Sequence, residues 1–464
     1  MDDSNTNVSP VDPRDARIAQ LERQLEAALK RIAELEEIIN KLQRGNKRQA
    51  SPFSKGPPKT DPKPPGRKGG DAYGTPPVFR AMPESSPADQ VIDVSPPGVC
   101  PGCGDASEPL VESIDEQVQR DIEVRTVVRR FKIKVCRCGQ CGSIRRGTHP
   151  SQTSTATGCC ASQVGPLARG AMVYMNKTLG LSLGKVADLF HSLWGLQITR
   201  GGVSHAIASV GRRCKSDYSL ILDAVRNAAS VTCDETGWRI GGNSAWLHAA
   251  ATRDACAYLI DPARGKGGTD QLIGEDFSGH LIHDGWAPYD RYLDATHQQC
   301  ITHLLRRCNE LIEAGTHAAA VFPDKIKSIL QRGLLLRDER DANQRSLRST
   351  RLQATKLTGL IRQSCHSRKR NRANERFAAF LYRHADQLFT YLRHGGIDAT
   401  NWRGEHAMRF AVVNRKVWGG NRTRSGADMQ TILMSVLRTL KLRGVKPIGW
   451  MCRKLTHQNP LILS

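Results

Sequence analysis

No apolar run in this chain approaches the ~18 residues of a membrane-crossing helix, which argues against a helical membrane protein. A secretory start is also missing: Met1-Asp2-Asp3-Ser4 opens a polar stretch, not a charged segment followed by an apolar one. No internal repeat is apparent, which sets aside solenoids and propellers. Acidic residues are scarce beside basic ones. Against 68 Lys+Arg there are 45 Asp+Glu, for a formal net charge of +23. Such an excess favours a polyanionic partner and fast, salt-sensitive association. Nucleic acid is the leading candidate, ahead of a merely well-solvated basic surface.

What the chain does have is length and cysteine. Its 464 residues exceed one ordinary domain and suffice for about three. Its 14 cysteines, without a secretory start, are expected in a reducing cytosol. There, clustered cysteines read as metal ligands and scattered ones as small core residues.

The first element is a heptad over residues 15–44. Ile18, Leu21, Leu25, Ala28, Ile32, Leu35, Ile39 and Leu42 alternate three and four apart, which keeps one apolar seam on a supercoiled helix. The seam is expected to meet a second copy; the alternative is an amphipathic helix docked on its own domain. Residues 45–97 read as a basic, proline-rich linker, since repeated proline removes backbone donors and favours extended chain.

A cysteine cluster spans 98–146. Cys100-Pro-Gly-Cys103 precedes a strand-like stretch from Ile122 to Val135, then Cys136-Arg-Cys138-Gly-Gln-Cys141. Two Cys-x-x-Cys knuckles flanking a β-hairpin suit a tetrahedral structural zinc. Five cysteines compete for four places. Cys100, Cys103, Cys138 and Cys141 are the expected set, because both pairs then share a two-residue gap.

Residues 164–213 carry helical periodicity. A break at Trp194-Gly195-Leu196 is followed by Thr199, positioned to cap a second helix through Val203, Ile207 and Val210. The pattern fits a helix-turn-helix with Arg200, Ser204 and His205 as its DNA-facing candidates, and fits an ordinary helical hairpin equally well.

From residue 230 the texture becomes β-like. Ser230-Val-Thr-Cys-Asp234 reads as a short strand ending in a carboxylate, and Leu281-Ile-His-Asp284 as a later one ending likewise. Two further strands are expected at 245–252 and 255–260. Residues 298–395 read as mainly helical and strongly basic, a segment that the resemblance given below makes an insertion at about 298–398, and Asn401–Phe410 opens a last helix carrying Glu405. In open α/β sheets, sites gather at the carboxyl ends of strands. Three carboxylates brought together repel unless a cation holds them, and hard oxygen donors select magnesium or manganese over zinc. The alternative is that each aspartate simply caps a turn. Glu235, Asp290 and Asp294 are nearby rivals. Cys300 and His303, with Cys308, are read as packing or DNA-facing positions on a helix, for want of a clean fourth ligand to a second zinc.

Asp234-Glu-Thr-Gly-Trp-Arg-Ile followed by Ala245-Trp-Leu-His resembles the first catalytic block of the insertion-sequence-sixty-six family of DDE transposases. His283-Asp-Gly-Trp-Ala-Pro-Tyr289 resembles its second block, where Asp-Gly-Tyr is usual. Cys300-Ile-Thr-His303 with Arg306 and Arg307 resembles the basic helix that comes next in the family. Asn401-Trp-Arg-Gly-Glu-His-Ala-Met-Arg409 and Asn414-Arg-Lys-Val-Trp418 resemble the third block, with Gly404 and His406 where the family more often has Ala and Arg. The resemblance implies a multidomain chain whose α/β RNase H-like catalytic core, residues 214–443, carries the helical insertion and follows the coiled coil, zinc module and helix-turn-helix. It implies that Asp234, Asp284 and Glu405 hold Mg2+ or Mn2+ while Zn2+ is structural. The implied activity is strand cleavage and transfer at insertion-sequence ends, in a bacterial cytoplasmic, nucleoid-associated protein. The partners would be terminal-repeat and target DNA, a second copy of the chain and accessory proteins of the element, with no membrane. A catalytically inactive DNA-binding regulator is the alternative.

Overall fold

The computed structural model describes residues 20–21, 24–32, 34–36, 90–95, 97–106, 113–114, 122, 125–158, 164–456 and 462. The chain divides into two units, Lys55–Val128 and a larger one of Met1–Ser54 with Arg129–Ser464. Of the heptad segment, residues 20–21, 24–32 and 34–36 are helical, and Leu21, Leu25, Ile32 and Leu35 are all exposed. The rest of 15–44, and nearly all of the proline-rich stretch, lies outside the described residues.

A short antiparallel pair, β1 (Val135–Arg137) and β2 (Ile144–Arg146), is smaller than the strand-like stretch predicts, and residues 125–134 join no ladder. The Cys138–Cys141 knuckle is the turn of this hairpin itself, not a neighbour of it.

Helix α1 (Pro166–Val173) starts with proline, whose missing N–H costs nothing there. A π-helical turn, Tyr174–Thr178, comes next. Helix α2 (Leu183–Trp194) is capped by Ser182 and closed by left-handed Gly195. Thr199 accepts from Gly202 N–H at 3.0 Å and so starts α3 (Arg200–Arg213), as its spacing predicts. Helix α4 (Lys215–Arg226) leads into the sheet.

The sheet holds β3 (Ser230–Ile240), β4 (Asn243–Ala251), β5 (Cys256–Asp261), β6 (His280–His283) and β7 (Thr296–Gln299), with α5 (Lys266–Ile273) between β5 and β6. The spatial order is β5-β4-β3-β6-β7. The first three strands form an antiparallel meander, and β6 and β7 add parallel to β3. Strand β7 occupies the start of the segment expected to be helical insertion. Four long helices come after it: α6 (Ile301–Ala314), α7 (His317–Asp341), α8 (Leu347–His366) and α9 (Arg372–Arg383), with a single turn, α10 (Thr390–Arg393), closing the set. They enclose a core of their own around Ile326, Leu330, Phe377, Leu381 and Phe389.

Helix α11 (Trp402–Trp418) carries Glu405 but is not the last helix: α12 (Arg424–Leu442) and α13 (Pro447–Leu455) come after it. Along one face of α12, Thr431, Ser435 and Thr439 accept the N–H groups of Ile260, Tyr258 and Cys256 at 3.3, 2.9 and 3.1 Å. Four helical residues rise about 6 Å and two strand residues about 6.7 Å, so the two rows stay nearly in step. The hydroxyl row thereby satisfies the outer edge of β5, which would otherwise offer unpaired donors. Val231 and Cys233 face one core with Val210, Ile221 and Leu433; Trp238, Leu247 and Tyr258 face another with Ala407 and Ala411.

Candidate active site

Asp234 does not end its strand, as the sequence reading expected; it is the fifth residue of an eleven-residue β3, and its N–H and C=O lie within the ladder to β4. Ladder alternation sends Asp234 to the face covered by α11 and Glu235 to the opposite face. Helix α11 approaches closely because residue 404 is glycine: a Cβ there would stand 3.1 Å from the Asp234 β-carbon and would collide with Asn401 Oδ1. The glycine that lowers helix propensity is thus what lets Glu405, one residue on, come near β3.

Asp284 follows the last residue of β6. Its Oδ1 accepts Trp286 N–H at 3.0 Å, closing a turn through Gly285, whose φ of +92° suits only glycine. Burial and the charges of Glu235, Asp284 and Glu405 push the Asp234 carboxyl up to about 7. Asp234 therefore feels both other expected acids, after Glu235, and its burial makes its charge costly without a counter-ion. Among the described residues no three His, Cys, Asp or Glu side chains are drawn tightly enough to enclose one ion.

The rivals are differently placed. The Glu235 side chain is nearly fully buried, pairs with Arg264 at 3.1 Å and accepts the Tyr289 hydroxyl at 3.0 Å, and burial and the Asp284 charge still hold its carboxyl above the usual range. Asp290 lies in a 3-10 turn with His384 Nδ1 3.9 Å from it, and Asp294 is exposed.

Two neighbours of the acids were not expected there: His303 was read as a packing or DNA-facing position, and Asn401 was given no role. His303, on the first turn of α6, places Nε2 3.3 Å from Glu405 Oε1. Asn401 is fully buried at the start of α11, and neither atom of its amide has a hydrogen-bond partner among the described residues. Cys300 is not a metal ligand in this arrangement: its Sγ accepts Asn401 N–H at 3.1 Å, tying the start of α11 to the start of α6, while Cys308 is buried in the helical core. Spacing alone could mark Cys300 and His303 as a pair but not show that a helix a hundred residues later lands on both.

The donor set suits a hard cation. It is all oxygen at the acids, one carboxyl is strained toward protonation by its neighbours, and an orphaned amide stands beside it. The burial and repulsion that raise Asp234 should be visible in metal-free protein. The unfolded carboxyl loses its proton near 3.8, the native one near 7. The native state's advantage from this group is therefore full below about pH 4 and lost as pH rises through 7. In EDTA above pH 7, Asp234→Asn should melt higher than wild type, by about 2–4 °C per kcal/mol relieved. Calorimetry showing an equal or lower melting temperature would mean that the Asp234 charge costs the native state nothing.

The helix-turn-helix candidates Arg200, Ser204 and His205 are all exposed on α3, while Val203, Ile207 and Val210 on the same helix are buried. The two cysteine knuckles share one local geometry. Gly104 N–H donates to Cys100 C=O and Gly142 N–H to Cys138 C=O, each at 2.9 Å, and both glycines are left-handed.

The family model described as Transposase IS66 family matches residues 162–429, more than half of the chain. No curated protein matches it.

Proposed function

We propose, for a chain that belongs to the IS66 family of transposases, that it cuts DNA strands at insertion-sequence ends and joins them to target DNA, with Asp234, Asp284 and Glu405 holding the required magnesium or manganese. The observation that carries this reading is geometric: α11 seats Gly404 against the Asp234 β-carbon, which sets Glu405 beside β3, and Asp234 lies in the fields of both Asp284 and Glu405. The sheet order, an antiparallel meander extended by two parallel strands, supports an RNase H-like core.

Two divalent ions, when bound, activate a water or 3′-hydroxyl and stabilise the leaving oxygen of a phosphodiester. The chain's own part is placement. Asp284 spends Oδ1 on its turn and keeps its second oxygen for the cation. His303 braces Glu405, which is otherwise half exposed and free to swing. Arg264, held against the Trp246 and Trp286 rings at 4.5 and 5.1 Å, pairs with Glu235. The outer face of α3 reads element ends through Arg200, Ser204 and His205, and the exposed heptad seam brings two copies together.

Purified protein should nick terminal-repeat DNA only when magnesium or manganese is added. Retained, specific DNA binding with no cutting under any divalent ion would instead favour a DNA-binding regulator.

The zinc reading rests on the two matched knuckles. Protein purified without chelator should hold one zinc per chain, and replacing Cys138 and Cys141 by Ser should release it. Elemental analysis finding no stoichiometric zinc in the unmodified chain would end this assignment.

A further inference from the structure

Behind the Asp284 turn lies a line of buried imidazoles that the proposed chemistry does not use. His283 ends β6 and is fully buried; His297 lies on the neighbouring β7 and is 9% exposed. Gly285 N–H points at His283 Nδ1 at 3.1 Å. His283 Nε2 is 3.0 Å from His297 Nδ1, and His297 Nε2 is 2.9 Å from the Tyr292 carbonyl. The two rings meet edge to face, with centroids 5.2 Å apart.

Both ends of this line are chemically unambiguous. A backbone N–H can only donate, so His283 Nδ1 accepts, and a neutral ring then carries its proton on Nε2. A carbonyl can only accept, so His297 Nε2 donates and His297 Nδ1 is left as an acceptor. The middle contact therefore runs from His283 Nε2–H to His297 Nδ1. Reasoning from either end gives the same tautomers, and all four ring nitrogens are satisfied.

We infer that His283 and His297 are positioning residues: a fixed-tautomer relay that anchors the Gly285 amide to the β6–β7 frame and thereby aims the Asp284 carboxylate. The anchor is needed because Gly285 is left-handed and has little room to shift. On its other side a Cβ would lie 2.8 Å from Gln299 Oε1 and 2.9 Å from Phe380. Asp284 Oδ1 accepts Trp286 N–H in the same turn, so the relay and this bond fix the turn from two sides. Without an acceptor at His297, the His283 proton has no reason to stay on Nε2. If it moves to Nδ1, the Gly285 N–H faces a donor and the turn is released. The metal-binding consequence rests on the reading of Asp284 proposed above; the tautomers do not.

The test uses the full chain with 15N-labelled histidine. Long-range 1H–15N spectra, assigned with His283→Asn and His297→Asn variants, should show both rings neutral with the proton on Nε2. His297→Phe keeps bulk but removes the acceptor. It should bind magnesium about 10–100-fold more weakly by titration calorimetry, the usual scale for an outer partner of a metal ligand. On terminal DNA its kcat should fall with little change in KM. His297→Asn, whose amide oxygen replaces Nδ1 as acceptor, should recover most of both. A proton on Nδ1 of either wild-type ring overturns the relay, and so does wild-type magnesium affinity in a folded His297→Phe protein. Should that variant fail to fold, the wild-type tautomers and the His297→Asn affinity still decide. Wild-type protein that binds no magnesium would sink the reading of Asp284 as a ligand, and the tautomers would still decide the relay.

Discussion

Glu405→Gln should leave terminal-DNA binding intact while strand cleavage falls by about 10²–10³-fold or more, the scale set by removing one group that stabilises developing charge. Gln keeps the length and helix propensity of Glu, and its amide fits beside His303 Nε2 where the carboxylate stands, so α11 should keep its place. What is lost is the negative charge that would neutralise a cation beside Asp234. DNA affinity should hold or rise slightly, because one repulsive charge is gone from a strongly basic chain. Asp234→Asn and Asp284→Asn should behave alike. Asp294→Asn, at an exposed position outside the cluster, should cut normally. Glu235→Gln should weaken the Arg264 contact with little effect on chemistry. Gel assays with radiolabelled terminal DNA measure both quantities. Normal cutting by Glu405→Gln, in preparations free of wild-type protein, would show the triad to be misassigned.

Lys454→Met should cost about 3–5 kcal/mol of stability, the largest effect expected outside the site. Lys454 on α13 and Asp217 on α4 form an ion pair 2.8 Å apart, with side chains 1% and 0% exposed. The pair lies off good hydrogen-bond alignment and is held by charge, while Asp217 Oδ1 also accepts Ile462 N–H at 3.2 Å. Removing the ammonium strands a carboxylate in a core formed by Ile221, Val225, Trp450 and Leu455. The double change Asp217→Leu with Lys454→Met should recover much of the loss, since replacing both partners by apolar groups removes the desolvation penalty itself. Urea unfolding gives the comparison. A single variant within 1 kcal/mol of wild type would mean that α13 is held by packing alone.

This pair also marks a limit of sequence reading. The resemblance ends the core at residue 443 and gives the segment beyond it no part in the fold. That Lys454 is buried against an acid 237 positions earlier is a tertiary fact. The same holds for β7: Thr296-His-Gln-Gln299 has no apolar alternation, since its side chains are buried among partners such as Tyr292, Leu388 and Gln387. Strand β3 outruns its expected end because Glu235, Thr236 and Gly237 look like a turn until β4 pairs with them across the hairpin.

Sequence by itself determined the local events, which depend on neighbours within a few positions. Thr199 caps α3, Gly195 closes α2, and the knuckle glycines stand just after their second cysteines, because a cap or a left-handed residue is chosen by the next turn of chain. It also named the three acids, whose surrounding words are distinctive. Tertiary structure alone decided which charges share a field. Asp234 and Asp284 are fifty positions apart, and Glu405 lies beyond the four-helix insertion. Only β3–β6 pairing and the close seat of Gly404 bring them within electrostatic reach. Coulomb energy depends on distance through space and on the water excluded between charges, and neither is written in the order of residues.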